Sequence, residues 1–163
     1  MFDGAAGHEA VHAAQAATAL AAVPAAVEVR AADPARDQGR KEVALVDTSV
    51  AGYKQLEAGI GAGVGIVEFD GSRDGLAQIA QWAAAQSGYD AIHLLSHGSE
   101  ARLDLGTALI DDQSLQAEPV RQELAALGGA LKSDGDLLIY GCDVGAGTGG
   151  QRLLDDLASA TGA

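Results

Sequence analysis

The stretch "DAIHLLSHGSE", residues 90–100, decides the fold. Its apolar run, Ala91 to Leu95, is interrupted only by His93 and ends at a His-Gly step, His97 and Gly98. The form returns in "DLLIYGCDVG", residues 136–145, where a second apolar run ends in Gly141 and Cys142, the chain's only cysteine. Runs that are apolar on both sides of the pleat belong inside a parallel sheet covered on both faces.

Working outward, "EVALVD" (42–47) and "GVGIVEFD" (63–70) read as two further strands. Val50, Tyr53, Leu56 and Ile60 recur at spacings of three and four, a helix between them. Leu76, Ile79, Ala80 and Ala83 mark a second helix, Val120, Leu124, Leu127 and Leu131 a third, and Leu153, Leu154 and Leu157 a closing one. "ARLDLGTALID" (101–111) alternates as a small hairpin around Gly106. Strands alternating with helices predict an α/β three-layer sandwich with a mainly parallel sheet.

Residues 1–40 are Ala-rich and broken by Pro24 and Pro34, so a helical or disordered lead-in is expected there, with the α/β domain over 41–163. The chain stops one helix after its fourth expected strand, where another strand would be natural, so a fragment of a longer protein is expected.

The 163 residues are 48% hydrophobic but only 4% aromatic, so the core should be aliphatic and small. Ten Lys and Arg against 23 Asp and Glu give a net charge of −13, which argues against a nucleic-acid partner. No run reaches the roughly 18–20 apolar residues of a membrane span. The N-terminus carries Asp3 and Glu9 in place of a positive leader segment, so no signal peptide is expected in this chain.

In open parallel sheets, ligands collect beyond the carboxyl ends of the strands. That edge should hold Asp47, Asp70, His97 and Cys142. A lone cysteine there is commonly a small core residue, and a lone His-Gly is commonly a turn. Their joint placement favours a dyad, with Cys142 as nucleophile and His97 as acid and base. Gly98 and Gly141 would admit a substrate backbone and present N–H groups to an oxyanion, and the following helix N-terminus would favour a thiolate. Asp47, Asp70 and Asp143 would form an acidic rim suited to a basic residue beside the scissile bond, or alternatively cap helices and turns.

Other readings of these residues are weaker. Carboxylates at strand ends also suit a phosphoacceptor receiver or a Mg²⁺ site, but His97 stands where an aspartate is wanted. "GAGTGG" (145–150) lacks the Gly-Lys-Ser/Thr ending of a phosphate loop. His93 and His97 lack a third ligand, so His93 is expected in the core, and His8 and His12 are expected in solvent. No metal and no cofactor are expected.

"IHLLSHG" (92–98) followed by "LLIYGC" (137–142) resembles the paired signature of the caspase-like, clan CD cysteine peptidases, which include caspases, gingipains, legumain and the separase and CHAT proteases. The resemblance implies a caspase-like fold with Cys142 as nucleophile and His97 as acid/base. In place of the caspase Gln-Ala-Cys-Arg-Gly, Asp143 here follows Cys142. "MFDGAA" (1–6), "LVDTSVAGYKQL" (45–56), "AIHLLSHGS" (91–99) and "LLIYGCDVGAGTGG" (137–150) look like an uncharacterised domain near the N-termini of very large bacterial surface and adhesin-like proteins. That likeness implies an extracellular or cell-surface location. Two functions are therefore expected in competition: a peptidase acting on a peptide or on its own chain, and a catalytically silent scaffold serving adhesin secretion or assembly.

Overall fold

A computed structural model describes residues 23–163. The expected lead-in helix, His8 and His12 lie outside these residues. Among the described residues eight strands are formed: β1 (Val27–Arg30), β2 (Glu42–Asp47), β3 (Gly65–Phe69), β4 (Tyr89–Leu95), β5 (His97–Ser99), β6 (Arg102–Leu105), β7 (Ala108–Ile110) and β8 (Leu131–Tyr140). The α-helices are α1 (Tyr53–Ala58), α2 (Gly75–Ala83), α3 (Glu118–Gly129) and α4 (Gly147–Thr161).

The central sheet has the order β1-β3-β2-β4-β8, all parallel except β1, which runs antiparallel to β3. The class is α/β with a mixed, mostly parallel sheet. The four strands expected from their apolar runs form its parallel part, and the expected hairpin is β6–β7, joined by β5 into a small antiparallel sheet.

Two boundaries differ from expectation. Ordered structure begins before residue 41, because Val27–Arg30 adds to the sheet at β3. This edge strand has exposed Val27 and Val29, so it lacks the buried apolar pattern that betrays a strand in sequence. Strand β8 begins at Leu131, not at Asp136, with a register shift between the Tyr89 and Ala91 pairings.

The two faces of the sheet are covered unequally. Val43, Leu45, Val67, Phe69, Ile92 and Leu94 point to the main core, where α2, α3 and α4 supply Leu76, Ile79, Trp82, Leu124, Leu127, Leu153 and Leu157. Each such side chain contributes about 1.5–3 kcal/mol by leaving water. Among the described residues, the opposite face buries the smaller cluster of Ala44, Val46 and Ile66, packed by Tyr53, Ile60, Val64 and Leu95. Among the described residues, that second face is thinly covered near β4 and β8, and Leu138 and Tyr140 of β8 are exposed.

Candidate functional site

Strands β4 and β8 are paired in parallel, with Leu95 opposite Tyr140. The amide of Ser96 continues the ladder by donating to the Tyr140 carbonyl at 3.2 Å. Two residues beyond those partners stand His97 and Cys142, both exposed. A Cβ added to Gly141 would lie 3.4 Å from the His97 carbonyl oxygen, and one on Gly98 would lie 3.4 Å from that of Cys142. The two chain segments therefore pass in contact at the carboxyl edge, as the twin apolar runs predict.

The glycines serve this approach differently from expectation. A Cβ on Gly98 would fall 2.3 Å from Cγ2 of Val144, and one on Gly141 would fall 2.9 Å from it. The room that glycine opens is filled by the buried Val144 and not left to a substrate backbone.

His97 is held from the neighbouring loop. Its Nε2 lies 3.2 Å from the carbonyl oxygen of Ser49, just past β2. A carbonyl can only accept, so Nε2 carries the proton, and in the neutral ring Nδ1 is left as the acceptor. This is the tautomer a dyad needs if Nδ1 is to take the thiol proton. Ser49 carries no apolar or catalytic signature of its own, and sequence reasoning missed it.

Asp47 follows the turn-capping alternative and not the acidic rim. It is 0% exposed, so it cannot touch a substrate. Its Oδ1 accepts from the Ser49 amide at 2.8 Å and the Ser49 hydroxyl at 2.6 Å, while Oδ2 accepts from the Gly106 amide at 2.9 Å. Asp47 thus ties the end of β2 both to its own loop and to the β6–β7 turn. The local signal was present: Asp-Thr-Ser is an Asx-type turn, with an aspartate bonding the backbone two residues on.

Asp70 forms the same turn at the end of β3, accepting from the Ser72 amide at 2.9 Å and hydroxyl at 2.6 Å, with Arg73 at 3.6 Å. The Ser72 hydroxyl and amide, then Arg73, hold its carboxyl below the usual carboxylate range. Three strand spacings separate β3 from β8, about 14 Å at ~4.8 Å each. Of the three aspartates expected as a rim, only Asp143 adjoins the thiol. It is exposed, with φ of 57°, and its carbonyl accepts from Ala146 at 2.9 Å. That turn separates Cys142 from α4, whose N-cap is Ala146, so the thiol does not sit at the helix N-terminus.

His93, expected in the core, is partly buried on the thinly covered face. Its Nε2 lies 2.7 Å from Glu42 Oε2 and its Nδ1 lies 3.1 Å from the Tyr140 hydroxyl. Burial pushes the Glu42 carboxyl up, but hydrogen bonds from His93 and Arg40 outweigh it and hold the group below its ordinary value. Among the described residues, no cluster of three or more His, Cys, Asp or Glu could hold a metal ion. No helix among them is long and apolar enough to cross a membrane.

The molecule is thus an α/β domain whose adjacent parallel strands bring a histidine and a cysteine to one sheet edge. A family model described as a domain of unknown function, DUF4347, matches residues 43–163, and the chain belongs to that family. Comparison with curated proteins and with solved structures gives no match.

Proposed function

We propose that this is a caspase-like cysteine peptidase domain, in which Cys142 attacks a peptide carbonyl and His97 transfers the proton. The observation that carries the reading is the contact of the His97-Gly98 and Gly141-Cys142 segments beside a histidine whose Nε2 faces a fixed carbonyl. In the proposed reaction the thiol proton passes to Nδ1 of His97 as Sγ bonds the substrate carbonyl carbon. The reading assigns the oxyanion to backbone N–H groups of the Gly98 and Gly141 segments, with Val144 filling the space beside the glycines themselves. The proton then goes to the leaving amine as the C–N bond breaks, and water hydrolyses the thioester. The substrate is a peptide or a segment of the same polypeptide, and the setting is a large bacterial surface protein.

The test is alkylation by iodoacetamide at neutral pH. The reading expects Cys142 to react faster than a free model thiol and to lose at least ten-fold in His97→Ala. Equal rates in the two proteins would remove the dyad.

A second reading is a silent scaffold that keeps the fold and works by docking in adhesin secretion or assembly. It is favoured by Leu138 and Tyr140, 39% and 53% exposed on the edge strand β8. Such a scaffold has no need of an activated thiol, so the same alkylation series separates the two.

A further inference from the structure

The thinly covered face of the sheet holds a trough of about 460 Å³, within the size range of ligand pockets. Its walls are Ala44, Val50, Leu56, Ile60, Val64 and Leu95. Its other boundary is the polar group of Glu42, His93 and Tyr140. The trough reaches the sheet edge where the dyad stands: Ser96, which precedes His97, also lines it, as does Tyr140, two residues before Cys142. Val50 adjoins Ser49, whose carbonyl holds His97.

The charge in this trough is already answered. Glu42 is paired with Arg40 and lies 2.7 Å from His93 Nε2. A lysine or arginine side chain would find no free carboxylate there, and an aspartate would meet apolar walls. Of the acidic rim that would have drawn a basic residue, Asp47 is buried, Asp70 is engaged by Ser72 and Arg73, and the exposed Asp143 beside the thiol does not line the trough.

We infer that the trough receives a large aliphatic or aromatic side chain of the substrate, next to the bond that Cys142 attacks. The inference rests on the peptidase reading and adds its substrate class. Val50, Leu56 and Leu95 cover the apolar body of that side chain, and the Tyr140 hydroxyl marks the polar margin.

The test is labelling of Cys142 by peptidyl acyloxymethyl ketones carrying Leu, Phe, Lys or Asp beside the reactive group, followed by intact mass. Each rate is divided by that protein's iodoacetamide rate. The Leu and Phe probes are expected to react about ten-fold or more faster than the Lys and Asp probes, the scale of apolar pocket discrimination. Val50→Asp should erase that preference. Leu56→Glu, at a more exposed wall position, should lower it and guards against a folding defect in the first variant.

Faster labelling by the Lys or Asp probe, or a preference unchanged in both variants, would overturn the apolar assignment while leaving the nucleophile standing. If iodoacetamide modifies Cys142 but none of the peptidyl probes does, the peptidase reading itself falls, and the substrate class with it.

Discussion

The carbonyl oxygen of Ser49 lies 3.2 Å from Nε2 of His97, and the loop carrying it is pinned by two hydrogen bonds from Ser49 to the buried carboxylate of Asp47. The path from Asp47 to His97 thus runs through one residue. Asp47 bears on His97 by position, since it is sealed from solvent and its oxygens are taken by Ser49 and Gly106.

Asp47→Asn tests that path. An amide can accept through one oxygen only, so either the Ser49 bonds or the Gly106 bond must be lost, at a cost of about 1–3 kcal/mol for an unmet buried group. Urea denaturation should show the loss. Alkylation of Cys142 should slow in parallel with the loosening of His97, and a protein destabilised with unchanged Cys142 reactivity would leave Asp47 a purely structural role.

The legible and illegible parts of this molecule differ in physical kind. The four parallel strands were legible because Val43–Val46, Ile66–Phe69 and the runs before His97 and Cys142 are short, predominantly apolar blocks, as strands of a parallel sheet are, although β8 leaves Leu138 and Tyr140 exposed on one face. The approach of the His97-Gly98 and Gly141-Cys142 backbone segments followed from strand ends alone. Strand β1 was not legible, because an edge strand with exposed valines buries too little to leave a pattern. The role of Asp47 was misjudged because sequence places a carboxylate at a strand end without saying whether it turns inward. The identical Asp-x-Ser turn at Asp70 faces solvent, so local chemistry does not decide burial.

Gly98 and Gly141 make a second prediction through Val144. A methyl group on Gly98 would lie 2.3 Å from Val144 Cγ2 and 3.1 Å from the Arg102 carbonyl oxygen. Overpacking of this kind costs about 1–3 kcal/mol. Gly98→Ala should therefore lower the denaturation midpoint more than Gly141→Ala, whose nearest contact is 2.9 Å. Val144→Ala, destabilising alone, should recover part of the Gly98→Ala loss in the double variant. Additive losses would mean that the Arg102 carbonyl, and not Val144, sets the limit.

Asp90 binds the opposite edge of the sheet, accepting from the Lys41 amide at 2.7 Å and from Lys132 Nζ at 2.7 Å. Lys132 first, and then the Lys41 amide, hold its carboxyl below the ordinary value near 3.8. A carboxyl depressed in the folded state adds stability that is present above its unfolded pKa and is lost as pH falls through the folded one. Asp90→Ala should thus lower the melting temperature at neutral pH, with the difference from the parent shrinking in acid. Cys142 alkylation should be unchanged, because Asp90 lies at the start of β4 and the thiol beyond the end of β8.

Glu57 carries the opposite sign. Burial, and then the neighbouring Glu68 carboxylate, raise its carboxyl above the ordinary value near 4.5, and Lys54 at 3.2 Å offsets only part of this. A raised carboxyl binds its proton more tightly in the folded chain, so it favours folding below its unfolded pKa. That contribution is lost as pH rises through the folded value. At neutral pH the ionised Glu57 therefore opposes folding. Glu57→Gln should raise the melting temperature at pH 7, since the exposed Lys54 contributes little through its ion pair and the amide fits the same space. The gain should vanish near pH 4, where Glu57 is itself neutral. Melting curves of both proteins from pH 4 to pH 8 would show the difference opening with pH, and a constant or reversed difference would mean that the Lys54 bridge outweighs the repulsion from Glu68.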